Sequence, residues 1–185
     1  MNIPILSSLI LLPTIGAFFI FFVKSNNKRY QSSKYVALFI SLANFLLSLY
    51  LWFIFDNTVS EFQFVEKVVW VPSLDLAYHM GVDGISVFFV ILSTLLTVVC
   101  ILASWVAITD RVKEFMIAFL VLETLMVGMF SSLDLILFYV FFEGVLIPMF
   151  IIIGVWGGPR RNYAAYKLFL YTLAGSVFML IAILT

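Results

Sequence analysis

The stretch LFYVFFEGVLIPMFIIIGVWGG runs from Leu137 to Gly158 and carries a single charged side chain, Glu143. A helix needs about 20 mainly apolar residues to cross the roughly 30 Å hydrocarbon core of a bilayer. This stretch meets that requirement, so the fold it implies is a membrane span. A carboxylate near the centre of such a helix costs on the order of 2.5–3.5 kcal/mol to insert. Glu143 therefore needs a reason to be there.

The rest of the chain agrees with a membrane solvent. Of 185 residues, 64% are hydrophobic and 11% are charged. Soluble domains are roughly 45–50% apolar and about 25% charged, and a soluble core of this size could not hide so much apolar surface. The 21 Phe residues suit packing among helices and against lipid. The formal net charge is zero, which leaves no basic footprint for nucleic acid. The single cysteine, Cys100, has no partner in the chain, so neither a disulfide nor a cysteine metal site is expected. A cleavable signal peptide would open on basic residues. Here an apolar run to Val23 comes first and Lys24 follows it, so the first segment is expected to remain as a span.

Six segments read as spans: Ile3–Val23, Tyr35–Phe55, Gly84–Ile108, Phe115–Phe130, Leu133–Trp156 and Ala165–Thr185. The fold class expected is all-α and polytopic, one transmembrane domain over 1–185. Only "SSLD" separates the fourth and fifth spans, which predicts a tight antiparallel hairpin. Lys24, Lys28, Arg29, Lys34, Arg111, Lys113, Arg160, Arg161 and Lys167 all fall on one side, and Lys67 alone on the other. Basic residues mark the cytoplasmic or matrix side, so the N-terminus is expected outside. The outer loop, 56–83, has β-branched and aromatic stretches either side of Pro72-Ser73 and reads as a short β-hairpin or an extended cover. Asp83 is placed to cap the third span.

Other candidates are weak. His79 and Asp83 lie four apart without a third ligand, and an interfacial cap with a surface histidine explains them. Cys100 reads as core filler. No glycine-rich phosphate loop and no haem ligand pattern occur, so no electron-carrying group is expected on this chain.

Two acids lie deep in the spans, Glu123 in the fourth and Glu143 in the fifth. Counted from Asp134 at the hairpin tip they are 11 residues before and 9 after. That puts them about 16 and 13 Å below the tip, near the midplane and at nearly one level. Desolvation favours the protonated form of such a group, and a second carboxylate nearby would favour it further. A group of this kind takes up a proton readily and releases it to an approaching cation, as a proton relay requires. The plainer alternative is a permanently protonated acid bonded to a neighbouring hydroxyl, such as Thr124 beside Glu123. Pro148 removes the hydrogen bond to the Gly144 carbonyl and is expected to kink the helix. Gly144 removes bulk beside Glu143.

At these residues a family resemblance emerges. LDLILFYVFFEGVLIPMFIIIGVWGG, with YHMGVDGIS before it and YKLFLYTLAGSVFMLIAIL after it, resembles the subunit M (chain 4) family of proton-pumping NADH:quinone oxidoreductase, respiratory complex I. The multisubunit cation/proton antiporters share the fold. The resemblance implies that Glu143 is the family's essential fifth-helix acid, which pairs with a lysine on a seventh helix, and that Glu123 is a second family acid. It also implies an incomplete antiporter-like fold, the N-terminal part of a longer subunit, with the pairing lysine helix beyond Thr185. Lys167 is not an obvious substitute. NADH, FMN, iron–sulfur clusters and quinone are then expected in partner subunits. The partners would be the other membrane subunits, the remainder of the subunit and the bilayer. The location would be the bacterial plasma membrane or the mitochondrial inner membrane. The rival readings are a subunit of a cation/proton antiporter and a non-pumping structural fragment.

Overall fold

A computed structural model describes residues 4–22, 30–59, 61–71 and 76–184. Six helices are present among them: α1 Ile5–Phe22, α2 Tyr30–Ile54, α3 Ser86–Ala107, α4 Val112–Ser131, α5 Leu135–Trp156 and α6 Arg161–Leu184. Each is 18–25 residues long and apolar enough to cross a membrane. Two strands, β1 Gln63–Val71 and β2 Leu76–Val82, pair antiparallel within the 56–83 segment.

Several helices start earlier than the apolar runs suggest. α2 begins at Tyr30 instead of Tyr35, α4 at Val112 instead of Phe115, and α6 at Arg161 instead of Ala165. Lys34, Lys113 and Arg161 are thus helical. Apolarity marks what the hydrocarbon accepts, but a helix continues into the interface where lysine stems can reach polar surroundings. The expected first loop, including Lys24, Lys28 and Arg29, lies largely outside the described residues.

α4 is the central element, packed against α1, α2, α3 and α5, while α6 packs chiefly on α5. Most of α6 and much of α5 are uncovered. The packed part is therefore the bundle α1–α4, with α5 laid along α4 and α6 along α5.

Charge placement follows the helix dipoles. α1, α3 and α5 run in one direction, and each receives a carboxylate at its N-terminus. Glu66 of β1 accepts from Leu6 N–H at 2.9 Å and Ser7 N–H at 3.1 Å, and also from the Ser7 hydroxyl. Asp83 accepts from Ser86 N–H at 2.7 Å, while the Ser86 hydroxyl accepts from Asp83 N–H at 2.8 Å. Asp134 accepts from Ile136 and Leu137 N–H at 2.9 and 3.1 Å. At the opposite ends the cations meet unsatisfied carbonyls. Lys113 donates to Phe21 O at 2.7 Å, Lys34 to Trp105 O at 2.6 Å, and Arg161 to Val155 O at 2.6 Å. A helix exposes unpaired N–H groups at its start and unpaired carbonyls at its end, so this arrangement satisfies both. The basic bias read from the loops thus has a second cause, the three C-termini gathered on that side.

The hairpin ties helix ends together. Besides the Glu66 cap, the Tyr78 hydroxyl lies 2.9 Å from Ser7 Oγ. The His79 carbonyl accepts from Leu133 N–H at 2.9 Å, in the turn between α4 and α5. Gly81 admits this contact, since a Cβ there would lie 2.6 Å from Leu133 Cδ1. Hydrogen bonds from Ser86, its backbone N–H first and its hydroxyl second, hold the Asp83 carboxyl below the usual carboxylate range. Asp83 is thus occupied as a cap, and among the described residues no group of three His, Cys, Asp or Glu could hold a metal. Glu66→Ala is expected to cost about 1 kcal/mol of local stability, as loss of an N-cap does. The check is amide exchange at Leu6 and Ser7, which should quicken. Unchanged exchange would show that the cap contributes nothing.

Candidate functional site

The α4–α5 seam sets the level and direction of both buried acids. A Cβ on Gly128 of α4 would lie 2.5–2.7 Å from three ring atoms of Phe141 on α5, and a Cβ on Gly144 would lie 2.9 Å from Leu125 Cδ2 on α4. Small residues of this kind let membrane helices approach closely. The pairs 128/141 and 125/144 define one antiparallel register, in which Glu123 is level with Leu146. Glu143 is three residues from that level, about 4.5 Å along the axis. The estimate of nearly equal depth agrees with this register.

The expectation that each acid would influence the other does not follow from the structure. At about 100° per residue, Glu123 points some 200° away from the seam residue Leu125, and Glu143 about 100° away from Gly144. Each acid leaves the seam and finds a partner elsewhere. Glu123 Oε1 accepts from Asn44 Nδ2 of α2 at 2.8 Å. Glu143 Oε1 accepts from the Ser176 hydroxyl of α6. The hydroxyl suggested as a partner for Glu123 is engaged differently. Thr124 Oγ1 donates to Leu120 O at 3.1 Å and lies 3.0 Å from Thr14 Oγ1 of α1.

Glu123 sits in a polar layer between two apolar clusters. It is 1% exposed, and Asn44 is fully buried. Nearby on α2, Ser48 Oγ lies 2.8 Å from Thr94 Oγ1 of α3. Towards the hairpin the layer is closed by a cluster that includes Leu6, Leu51, Val90 and Val127. Towards the basic side it is closed by one that includes Ala37, Ile101, Met116 and Leu120. On each helix the polar residue falls between the two sets: Asn44 between Ala37 and Leu51, Glu123 between Leu120 and Val127.

Glu143 has different surroundings. It is half-buried on the open side of the molecule. Tyr139, one turn earlier on α5, interacts with both Glu143 and Ser176. Among the described residues its partners are hydroxyls, and no cation is paired with it. Ser176 can also donate to Leu173 O, at 2.9 Å. A hydroxyl carries one proton and can accept as well as donate. Ser176 can therefore donate to an ionised Glu143, or accept from a protonated one while turning its own proton to Leu173. It fits both states of the acid. Pro148 is buried, and α5 is one continuous helix through it; the Gly144 carbonyl lacks the N–H that position 148 would otherwise supply. Lys167 stays near Tyr163 and Tyr171 on its own helix, 5.9 Å from each ring. It is nine residues, about 13 Å along α6, from Ser176.

Three participants escape a reading along the chain: Asn44, Ser176 and Tyr139. Asn44 had a signal. It is the one Asn lying mid-span, and with Ser33, Ser41 and Ser48 it forms a buried polar stripe at helical spacing. Ser176 is the one serine of α6 and Tyr139 the one tyrosine of α5, but single hydroxyl residues are common in spans and carry no signal by themselves.

The six spans have an antiporter-like fold, with mid-span carboxylates on the fourth and fifth. Residues 132–185 match the family model described as NADH:quinone oxidoreductase/Mrp antiporter, TM. Over nearly its whole length the chain is similar to NADH-quinone oxidoreductase subunit M (chain 4). It is 52% identical over 180 residues to NADH-ubiquinone oxidoreductase chain 4 of Arabidopsis thaliana, covering 97% of this chain and 36% of that one. It is 45% identical over 185 residues to NADH-quinone oxidoreductase subunit M of Rickettsia prowazekii (strain Madrid E), covering 100% of this chain and 38% of that one. The chain thus spans a little over a third of the length of these relatives. Among solved structures, respiratory complex I from Thermus thermophilus with bound NADH matches with TM-score 0.80 and 28% identity, over 97% of this chain and 35% of that chain. The Mrp complex from Dietzia sp. DQ12-45-1b matches with TM-score 0.75 and 17% identity, over 96% of this chain and 18% of that chain; this likeness shows the fold alone. These relatives and the six apolar spans together indicate a multi-pass protein of an inner membrane, mitochondrial or bacterial.

Proposed function

We propose that the chain is a proton-translocating membrane subunit of NADH:quinone oxidoreductase, with Glu143 as the group that takes up and releases the proton. The observation that supports this most is the environment of Glu143, a mid-span carboxylate whose partner hydroxyl suits both protonation states. When Glu143 is ionised, Ser176 donates to it; when a proton arrives, Ser176 turns and accepts. Neither state leaves a buried polar atom without a partner, so the exchange meets little reorganisation. Glu123, turned away from this site to Asn44, has the secondary role of passing a proton to a neighbouring subunit. Gly144 and Pro148 shape the backbone beside the acid. The flavin, the iron–sulfur clusters and the sites for NADH and quinone belong to partner subunits on this reading, since a chain with one cysteine and one histidine offers few ligands for them. The partners are the other membrane subunits of the complex.

Ser176→Ala is expected to slow coupled turnover about tenfold, because a hydrogen bond to a charged group contributes roughly 1.5–3 kcal/mol. Ser176→Thr, which keeps the hydroxyl, should recover most of it. Steady-state NADH:quinone reduction coupled to proton uptake measures both, and parental rates in the alanine variant would remove Ser176 from the relay.

The second reading, a cation/proton antiporter component, draws on the fold shared with the Mrp complex. The identities of 52% and 45% to the chain 4 and subunit M relatives favour the first. Native electrophoresis of mildly solubilised membranes carrying a tagged chain separates them. The tag is expected to migrate with NADH dehydrogenase activity, and migration apart from it would favour the antiporter. Orientation is tested with single cysteines at Thr58 and Asn162 in a Cys100→Ala background. An impermeant thiol reagent should reach Thr58→Cys from the outside and Asn162→Cys only from the cytoplasmic or matrix side. Labelling of both from one side would refute the arrangement.

A further inference from the structure

Asn44 and Glu123 leave a specific imbalance. Asn44 Nδ2 donates to Glu123 Oε1 at 2.8 Å, but Asn44 Oδ1 and Glu123 Oε2 are both buried without a partner. Both are acceptors if the acid is ionised. An ionised carboxylate with one unserved oxygen in a sealed interior is among the costliest arrangements a protein can hold. Among the described residues its hydrogen-bond partner is Asn44, and no charged group is paired with it. One proton on Oε2 changes this. It turns one of the two orphaned acceptors into a donor, and an amide and a carboxylic acid joined along one edge can close a second hydrogen bond through the other.

We propose that Asn44 is a positioning residue that holds Glu123 protonated as an amide–carboxylic acid pair, sealed from both membrane faces by the two apolar clusters. The contrast with Glu143 supports this. Ser176 can reverse its bond and so fits either state, whereas Asn44 presents one donor and one acceptor and matches only the acid form. Glu123 is then a neutral, held proton in this conformation, and it exchanges only when α2 and α4 separate. The proposal deepens the proton-transfer reading by giving Glu123 its state, and its test does not depend on pumping.

The test is infrared spectroscopy of the purified complex at neutral pH. The parent spectrum minus that of Glu123→Gln should contain one C=O band of a protonated carboxyl. Asn44→Leu should shift that band upward in frequency, because the C=O loses its donor. Asn44→Gln, which restores the amide, should bring it back towards the parent position. Carboxylate bands in the difference spectrum would overturn the proposal and mean that water serves the orphaned oxygens. So would a band that Asn44→Leu leaves in place. If Glu123→Gln does not assemble, the Asn44→Leu shift decides alone, since a purely structural amide would not move a carboxyl frequency. Failure of pumping in Glu143 variants would be read separately and leave this result standing.

Discussion

Glu143→Gln is expected to leave the complex assembled and to remove most of its coupled quinone reduction, a loss of tenfold or more. Gln has nearly the size of Glu and can still bond Ser176, but it does not exchange a proton under these conditions. A neutral amide should cost no more to insert than a protonated acid, so the quantity of complex should hold. Glu143→Asp should be milder, because the titrating group remains, one methylene short of Ser176. Glu123→Gln should also be milder, because its partner Asn44 can still bond an amide. NADH:quinone reductase rates normalised to assembled complex on a native gel measure all three. Near-parental rates in Glu143→Gln would reduce Glu143 to a structural group.

Gly128→Val has the larger effect on assembly. A Cβ at Gly128 would lie 2.5–2.7 Å from three ring atoms of Phe141, and valine adds two methyl groups beyond it. Phe141 packs against the cluster of Leu6, Val90 and Val127, so the ring has little room to retreat. Overpacking of this kind costs typically about 1–3 kcal/mol, and here it acts on the seam that joins α5 and α6 to the bundle. Assembled complex should fall severely. Phe141→Ala in the same chain should restore part of it by vacating the contact. Gly144→Ala is the control. Its Cβ meets only the flexible end of Leu125, at 2.9 Å, and should be tolerated far better. Parental assembly of Gly128→Val would show that the seam is not packed as described.

Depth was legible along the chain and direction was not. The levels of Glu123 and Glu143 follow from counting residues from Asp134, because helix rise is constant. Their azimuth depends on which face meets a neighbouring helix. In a bilayer both the lipid face and the helix face are apolar, so periodicity is a weak guide. α5 shows the problem, being apolar nearly all round. This is why two acids at one level suggested mutual influence, while the structure turns Glu123 to Asn44 and Glu143 to Ser176. Gly128 and Gly144 mark the seam, but only with Phe141 and Leu125 in place does the register emerge. The helix caps divide in the same way. Asp83 and Asp134 cap locally and can be read from the residues that follow them. Glu66 caps α1 across 60 residues of chain, and Lys34 reaches α3 across 71. No local pattern encodes these.

Glu143 is the proposed carrier of the translocated proton. The most direct measurement is proton uptake by inverted membrane vesicles on NADH addition, normalised to assembled complex and compared between parent and Glu143→Gln. Uptake in Glu143→Gln is expected to fall to a small fraction of the parent while the complex remains intact. Uptake at the parental level would contradict it and leave Glu143 as a hydrogen-bonded structural acid.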